Sequence, residues 1–259
     1  MSMRARTPVG LAAVAVLVYG FLHLPILILV AFSFNASKFS ADWRGFTLEW
    51  YRRLLERPDV IHGLEISLVV AAASTAISAV LGTLLALALA RHRFRGRQAV
   101  EAFLYVPIVT PEIVVGISSL LLFALLRLPL GVGTIVIAHV AFSLSFVVIV
   151  VRARLEGMDT SLEEAALILG ADEITTFRRV TLPQLWPGVL AGALLAFILS
   201  FDDFLITSFV AGSGSSTLPL VVYGMARRNV EPSINAISTI ILVVTTGVLY
   251  VAERVTRDR

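Results

Sequence analysis

The chain has 259 residues, 58% of them hydrophobic and 15% charged, with a mean hydropathy of +0.89. A soluble globular chain carries about 25% charged residues, so an ordinary soluble domain is excluded. The absence of cysteine rules out disulfides, thiolate metal sites and cysteine nucleophiles, and the basic pI of about 9.7 comes from arginines at the ends of apolar runs, a topology signal rather than a nucleic-acid surface.

Six apolar runs are long enough to cross a bilayer, which takes about 20 residues each: roughly 9–33, 64–90, 102–126, 132–151, 185–211 and 234–252. They predict an all-α polytopic membrane protein with six transmembrane helices, forming a single transmembrane domain over 1–259. The first run follows Arg4 and Arg6. It is longer than the 7–15 apolar residues of a signal peptide, so an uncleaved first helix is expected. The third run contains Pro107 and Pro111, and the fifth begins after Pro183 and Pro187. Proline removes a backbone donor and breaks or kinks a helix, which membrane helices tolerate where neighbours satisfy the freed groups.

Orientation follows from the basic residues. With the N-terminus inside, 13 of the 21 Lys and Arg fall in cytoplasmic pieces and 8 outside. The stretch "RHRFRGR" (91–97) carries no acid at all. The positive-inside rule therefore places both termini in the cytoplasm of a plasma (inner) membrane protein.

The loop "MDTSLEEAALILGADEITTFRRVTLP" (158–183) reads as a helix–turn–helix at the membrane surface. Ser161 and Glu164 have the spacing of a capping box that opens a helix at about 162. Gly170 suits a left-handed turn closing that helix. Asp172 is placed to cap a second short helix, expected to end before Pro183. The first helix exposes Ala165, Ala166 and Leu169, small and apolar positions that let another backbone approach. A generic amphipathic surface helix would show the same polarity; the spacing of the loop is more specific.

Within the fifth run, "LLAFILSFDDFLITSFVAG" (194–212), Asp202 and Asp203 stand side by side. Intramembrane acids are expensive and face an interior or an aqueous path. On one continuous helix Gly188, Gly192, Ala196, Ser200, Asp203 and Thr207 share an arc, with Asp202 at its edge. The lower part is a small-residue packing stripe, and the upper part is polar. Glu112, directly after Pro111, adds a third acid. Three acids with no intramembrane Lys or Arg nearby in sequence imply a cationic passenger, with Tyr105, Phe201 and Phe204 available for cation–π contacts. The competing expectation is that the aspartates pair with arginines of a neighbouring subunit. An aspartyl protease needs its two Asp on separate helices and is discounted. His23, His62, His92 and His139 are scattered singly, as packing or interface histidines are. There is no HExxH, no GxSxG and no P-loop, since the only lysine, Lys38, has no preceding glycine.

The run Glu164-Ala165-Ala166, Gly170, Val180, Leu182-Pro183 resembles the EAA signature of permease subunits in binding-protein-dependent ABC importers, with Val180 where the family has Ile or a similar aliphatic. The resemblance implies that this loop docks on a separate ATPase subunit. "FTLEWYRRLL" (46–55), "PEIVVGISSLLLF" (111–123), "SFDDF" (200–204) and "TLPLVVYGMARRNVEPSINAIST" (217–239) are similar to the spermidine/putrescine permeases of that family. Carried over by position, the residues implied in polyamine passage are Trp50, Glu112, Ser200, Asp202 and Asp203. Glu112 stands where the family often has Asp, and Trp50 has an equal claim as an interfacial aromatic anchor. The resemblance further implies a homologous second permease, two ATPase subunits that bind ATP and Mg, a periplasmic or lipid-anchored solute-binding protein, and no cofactor in this chain. A stand-alone secondary transporter is the alternative from another class; no internal inverted repeat is visible to support it.

Overall fold

The computed structural model describes residues 9–38, 42–228 and 232–257. Arg4, Arg6 and Arg259, three of the 13 basic residues counted as cytoplasmic, lie outside them, as do Asn229, Val230 and Glu231 of the 217–239 stretch. The described residues are overwhelmingly helical, without a β-strand; Asn35 and Phe46 form one isolated antiparallel bridge.

Among the described residues four helices are long and apolar enough to cross a membrane: α1 (Val9–Phe32), α3 (Pro58–Arg91), α6 (Val132–Glu156) and the helical stretch 173–201 that ends in α9 (Leu182–Phe201). A fifth crossing is available if α4 (Arg97–Val109) and α5 (Glu112–Leu125) count as one. The expected sixth run is present as α12 (Pro232–Arg257), whose apolar part over 232–247 is shorter than the others. Short helices complete the chain: α2 (Glu49–Leu55), α7 (Ser161–Ile168), α8 (Glu173–Thr176), α10 (Leu205–Val210) and α11 (Leu218–Arg228).

The chain forms two compact units, residues 1–58 with 222–244, and residues 59–221 with 245–259. In the first, α1 exposes apolar side chains all round, Leu17 and Phe21 among them, as a lipid-facing helix must. The loop that follows is organised by Asn35. Its amide donates to the Asp42 carbonyl, its side-chain oxygen accepts from Arg44 N–H, and its backbone carbonyl accepts from the Trp50 indole.

In the second unit α6 is the hub. One apolar cluster joins Leu89 of α3, Leu104 of α4, Val147, Val148 and Val151 of α6, and Leu185 of α9. Another joins Val70 of α3, Phe123 of α5, Ile135 and Phe142 of α6, and Ile206 and Val210 of α10. The expected small-residue stripe of α9 packs as a stripe should. A Cβ on Gly192 would lie 3.3 Å from Val147, and one on Gly188 would lie 2.6 Å from Arg154. Hydroxyl pairs tie α3 to both of these helices, Ser78 with Ser143 of α6 and Ser74 with Ser200 of α9, each at 2.9 Å.

Two expectations about helix continuity are corrected, in the fifth run and before Pro183, and one is met: the run 102–126 breaks at proline, α4 and α5 meeting at 113° with the break at Thr110 and Pro111. Pro107 stays inside α4, whereas Pro111, at ψ 136, turns the chain out of helical geometry. The fifth run stops at Phe201 and restarts at Leu205, so the wheel drawn through Thr207 spans two helices. The helix expected to end before Pro183, by contrast, does not stop there. It continues through a π turn over Phe177–Thr181 into α9, with Pro183 in the first turn of the new helix. Proline's missing N–H and its clash with the preceding turn are tolerated at that position, and the wider π turn makes room for the ring.

Candidate functional site

The break between α9 and α10 separates the two aspartates. Asp203 is buried and Asp202 is exposed. Asp203 Oδ1 accepts from the Thr207 N–H and hydroxyl, each at 2.8 Å, and Oδ2 accepts from the Ile206 N–H at 3.3 Å. It thus caps the orphan donors of the first turn of α10, which is why a new helix starts there.

The remaining partner comes from α6. His139 Nε2 lies 3.2 Å from Asp203 Oδ1 and 3.0 Å from Thr207 Oγ1. The single hydroxyl proton of Thr207 goes to Asp203, so the proton of this contact belongs to His139 Nε2. On the other edge of the ring, Nδ1 lies 2.7 Å from Ser200 Oγ, which in turn meets Ser74. Asp203 is therefore held by a histidine of its own chain. His139 was missed in the sequence because its partners lie 61, 64 and 68 residues downstream and no local pattern marks it.

Asp202 has no such cage. It lines a cavity of about 240 Å³ with Glu112, Ile198, Leu199, Asp203, Phe204 and Leu205. Glu112 reaches it because α5 packs closely on α10. A Cβ at Gly116, one turn after Glu112 on the same face, would come within 3.2 Å of Ile206 Cα. Ser200 is buried and faces His139 rather than the cavity lining. Tyr105 lies elsewhere, in a separate cavity between α4 and α6 beside the Arg152–Glu101 ion pair.

Trp50 belongs to the first unit. It is 6% exposed, its indole donates to Asn35, and the Arg53 guanidinium sits 5.1 Å above its ring. It borders a cavity of about 440 Å³ with Lys38, Arg53, Glu56, Arg57, Pro232 and Ser233, a lining that is basic on balance.

In the 158–183 loop, Gly170 has φ +89°, the left-handed turn expected of it. Asp172 caps α8 by accepting from Thr175 N–H at 3.3 Å. Hydrogen bonding from the Thr175 side chain first, and then from backbone N–H groups of this turn, holds its carboxyl below the ordinary carboxylate range. The capping box does not form: Thr160 is the N-cap of α7 without a side-chain bond, and Asp159 accepts from Ser161 N–H instead. Glu164 and Ala165 are exposed and Ala166 is half-buried. Leu169 is 87% exposed, as expected. Val180 is half-buried and Leu182 and Pro183 open α9. The neighbouring Glu163 turns inward to Arg91 and Thr181.

Residues 78–257 match the family model described as "Binding-protein-dependent transport system inner membrane component". The chain is 40% identical over 242 residues to the spermidine/putrescine transport system permease protein PotC of Escherichia coli (strain K12), covering 93% of this chain and 92% of that protein. It is 41% identical over 231 residues to the putrescine transport system permease protein PotI of the same strain, covering 86% and 82%. Its fold matches a chain of a bacterial ABC transporter involved in the import of the acidic polysaccharide alginate, with a TM-score of 0.75 at 16% identity over 96% and 95% of the two chains. The chain belongs to the family of binding-protein-dependent transport system inner membrane components, as a permease of an ABC importer.

Proposed function

We propose that this permease carries polyamines of the spermidine and putrescine class inward. The observation that carries the reading is the cavity beside the α9–α10 break, where Glu112, Asp202 and Asp203 meet with no Lys or Arg in the lining. Asp202 and Glu112 are its free carboxylates and attract the cation; Asp203, through His139 and the cap of α10, holds the break that presents them. Similarity to PotC and PotI supports the solute class. Such a site holds its ion weakly enough to release it.

The chain pairs with a homologous permease, so that the two together enclose the path. Two separate ATPase subunits bind ATP and Mg and dock on the exposed face of α7, at Glu164, Ala165 and Leu169. A solute-binding protein delivers polyamine from outside. Six crossings, with α4 and α5 as one bent span, leave both termini and the 158–183 loop in the cytoplasm. Reporter fusions after Arg97 and Arg179 are expected to read cytoplasmic, and fusions near Asp42 and Ser215 external. An external reading at Arg179 would overturn the topology and the docking face together. Uptake of labelled spermidine and putrescine by the tagged complex in proteoliposomes, driven by enclosed ATP, tests the solute class. Uptake of neither, by a complex that hydrolyses ATP, refutes it.

A further inference from the structure

One carboxylate in the cytoplasmic loop touches two membrane helices' ends at once. Glu163 Oε1 accepts from Arg91, the last residue of α3, and from the Thr181 hydroxyl at 2.6 Å. Thr181 is fully buried and closes the π turn from which α9 rises. The Glu163 side chain is only 15% exposed, so solvent screens this contact less than the exposed ion pairs of α2.

The two helices so joined, α3 and α9, also meet near the acidic cavity, through Ser74 and Ser200. They are the helices whose relative position sets that region: Ser200 leads to His139 and Asp203, and α9 ends one residue before Asp202. The π turn adds a compliant element. It holds an extra residue in its turn, so its reversion to α geometry shifts the start of α9 by one position, and such turns recur at functional sites.

We propose that Glu163 is the joint by which force applied to α7 reaches α3 and α9, while its neighbour Glu164 faces the docking partner. The two adjacent acids of the loop divide the work. Glu164 is exposed on α7, and among the described residues its side chain has no hydrogen bond or ion pair that would oppose an external contact. Glu163 grips the permease itself. The inference rests on the importer reading and names a positioning residue for it, one that touches neither solute nor nucleotide.

The chain has no cysteine and needs no engineered background for labelling. The test is made on the intact complex in proteoliposomes, reading three quantities: assembled complex, ATP hydrolysis, and spermidine taken up per ATP hydrolysed. In Glu163→Gln the complex assembles and hydrolyses ATP, and uptake per ATP falls about tenfold, the size of a typical lost coupling. Arg91→Gln behaves alike, and the double variant is no worse than either single, because both remove the same contact. The exchange Glu163→Arg with Arg91→Glu recovers part of the ratio. A residue that merely folded the loop would lower the amount of complex and leave the ratio alone. Should Glu163→Gln fail to assemble, Thr181→Val, equal in size and lacking only the hydroxyl, carries the test and is expected to lower the ratio as well. Wild-type uptake per ATP in the variants that assemble overturns the proposal. A wild-type complex that hydrolyses ATP with normal stimulation shows that the importer reading survives that result; one that neither hydrolyses ATP nor moves spermidine ends both.

Discussion

The loop at 158–183 and the break at 200–207 both set helix ends with aspartates, yet they work differently. Asp172 caps α8 through a neighbour three residues away, in the open. Asp203 caps α10 through residues three and four positions on, but is then buried under His139, 64 residues earlier in the chain. The first end is decided by short-range chemistry in water, where a lost bond is replaced by solvent. The second is decided inside an apolar span, where an unmet donor or acceptor has nowhere to go. A local signal is enough for the one, whereas the other depends on a partner that only the fold supplies.

The sharpest way to break this comparison is at His139. His139→Leu leaves Asp203 and Ser200 buried without their ring partner, and is expected to destabilise the fold by about 3 kcal/mol. The recovered complex falls accordingly, with uptake per complex changing less. His139→Gln, whose amide can supply a donor near the position of Nε2, is expected to restore part of the yield. Full yield in His139→Leu would show that Asp203 does not depend on the histidine.

Asp202→Asn probes the other aspartate. Removing an intramembrane charge eases insertion, so the complex is expected to assemble in full while spermidine uptake per complex falls about tenfold, a loss of roughly 1.4 kcal/mol of attraction. Glu112→Gln adds to it, and Asp202→Glu is milder. Asp203→Asn, by contrast, is expected to lower complex yield first. Equal behaviour of Asp202→Asn and Asp203→Asn in yield and in uptake would erase the distinction between them.

In the loop the largest effect is expected from Gly170→Val. Its φ of +89° is unfavourable for a branched residue, by about 1–2 kcal/mol, so α7 and α8 are mispositioned and ATP-driven uptake is lost while the chain still reaches the membrane. Normal uptake would remove the need for this turn.

The smallest effect is expected at Asp172. Its carboxyl sits below the ordinary value of 3.8 because Thr175 donates to it. A depressed folded-state value means the cap is fully present above the unfolded carboxylate range and is lost only as pH falls through the lower folded value. Uptake from pH 6 to 8 is therefore expected to be insensitive to this group, and Asp172→Asn, which keeps a capping oxygen, to be nearly silent. A marked loss of uptake in Asp172→Asn at pH 7 would show that its charge, and not its cap, is in use.

The sequence alone determined what depends on composition and on neighbours within a turn. The apolar runs, the left-handed Gly170, the Asp172 cap and the Gly188–Gly192 stripe were legible because each rests on an intrinsic preference or on helical spacing. The Ser161–Glu164 box was misread for a related reason: Asp159 competes for the same Ser161 N–H, and both patterns are local. What only the tertiary structure decided is which of two adjacent acids turns inward. Asp203 rather than Asp202, and Glu163 rather than Glu164, meet partners on other helices, His139 in one case and Arg91 with Thr181 in the other. Each depends on a group dozens of residues away, His139 or Arg91, being packed to hydrogen-bonding distance, and no periodicity in a linear chain encodes that distance.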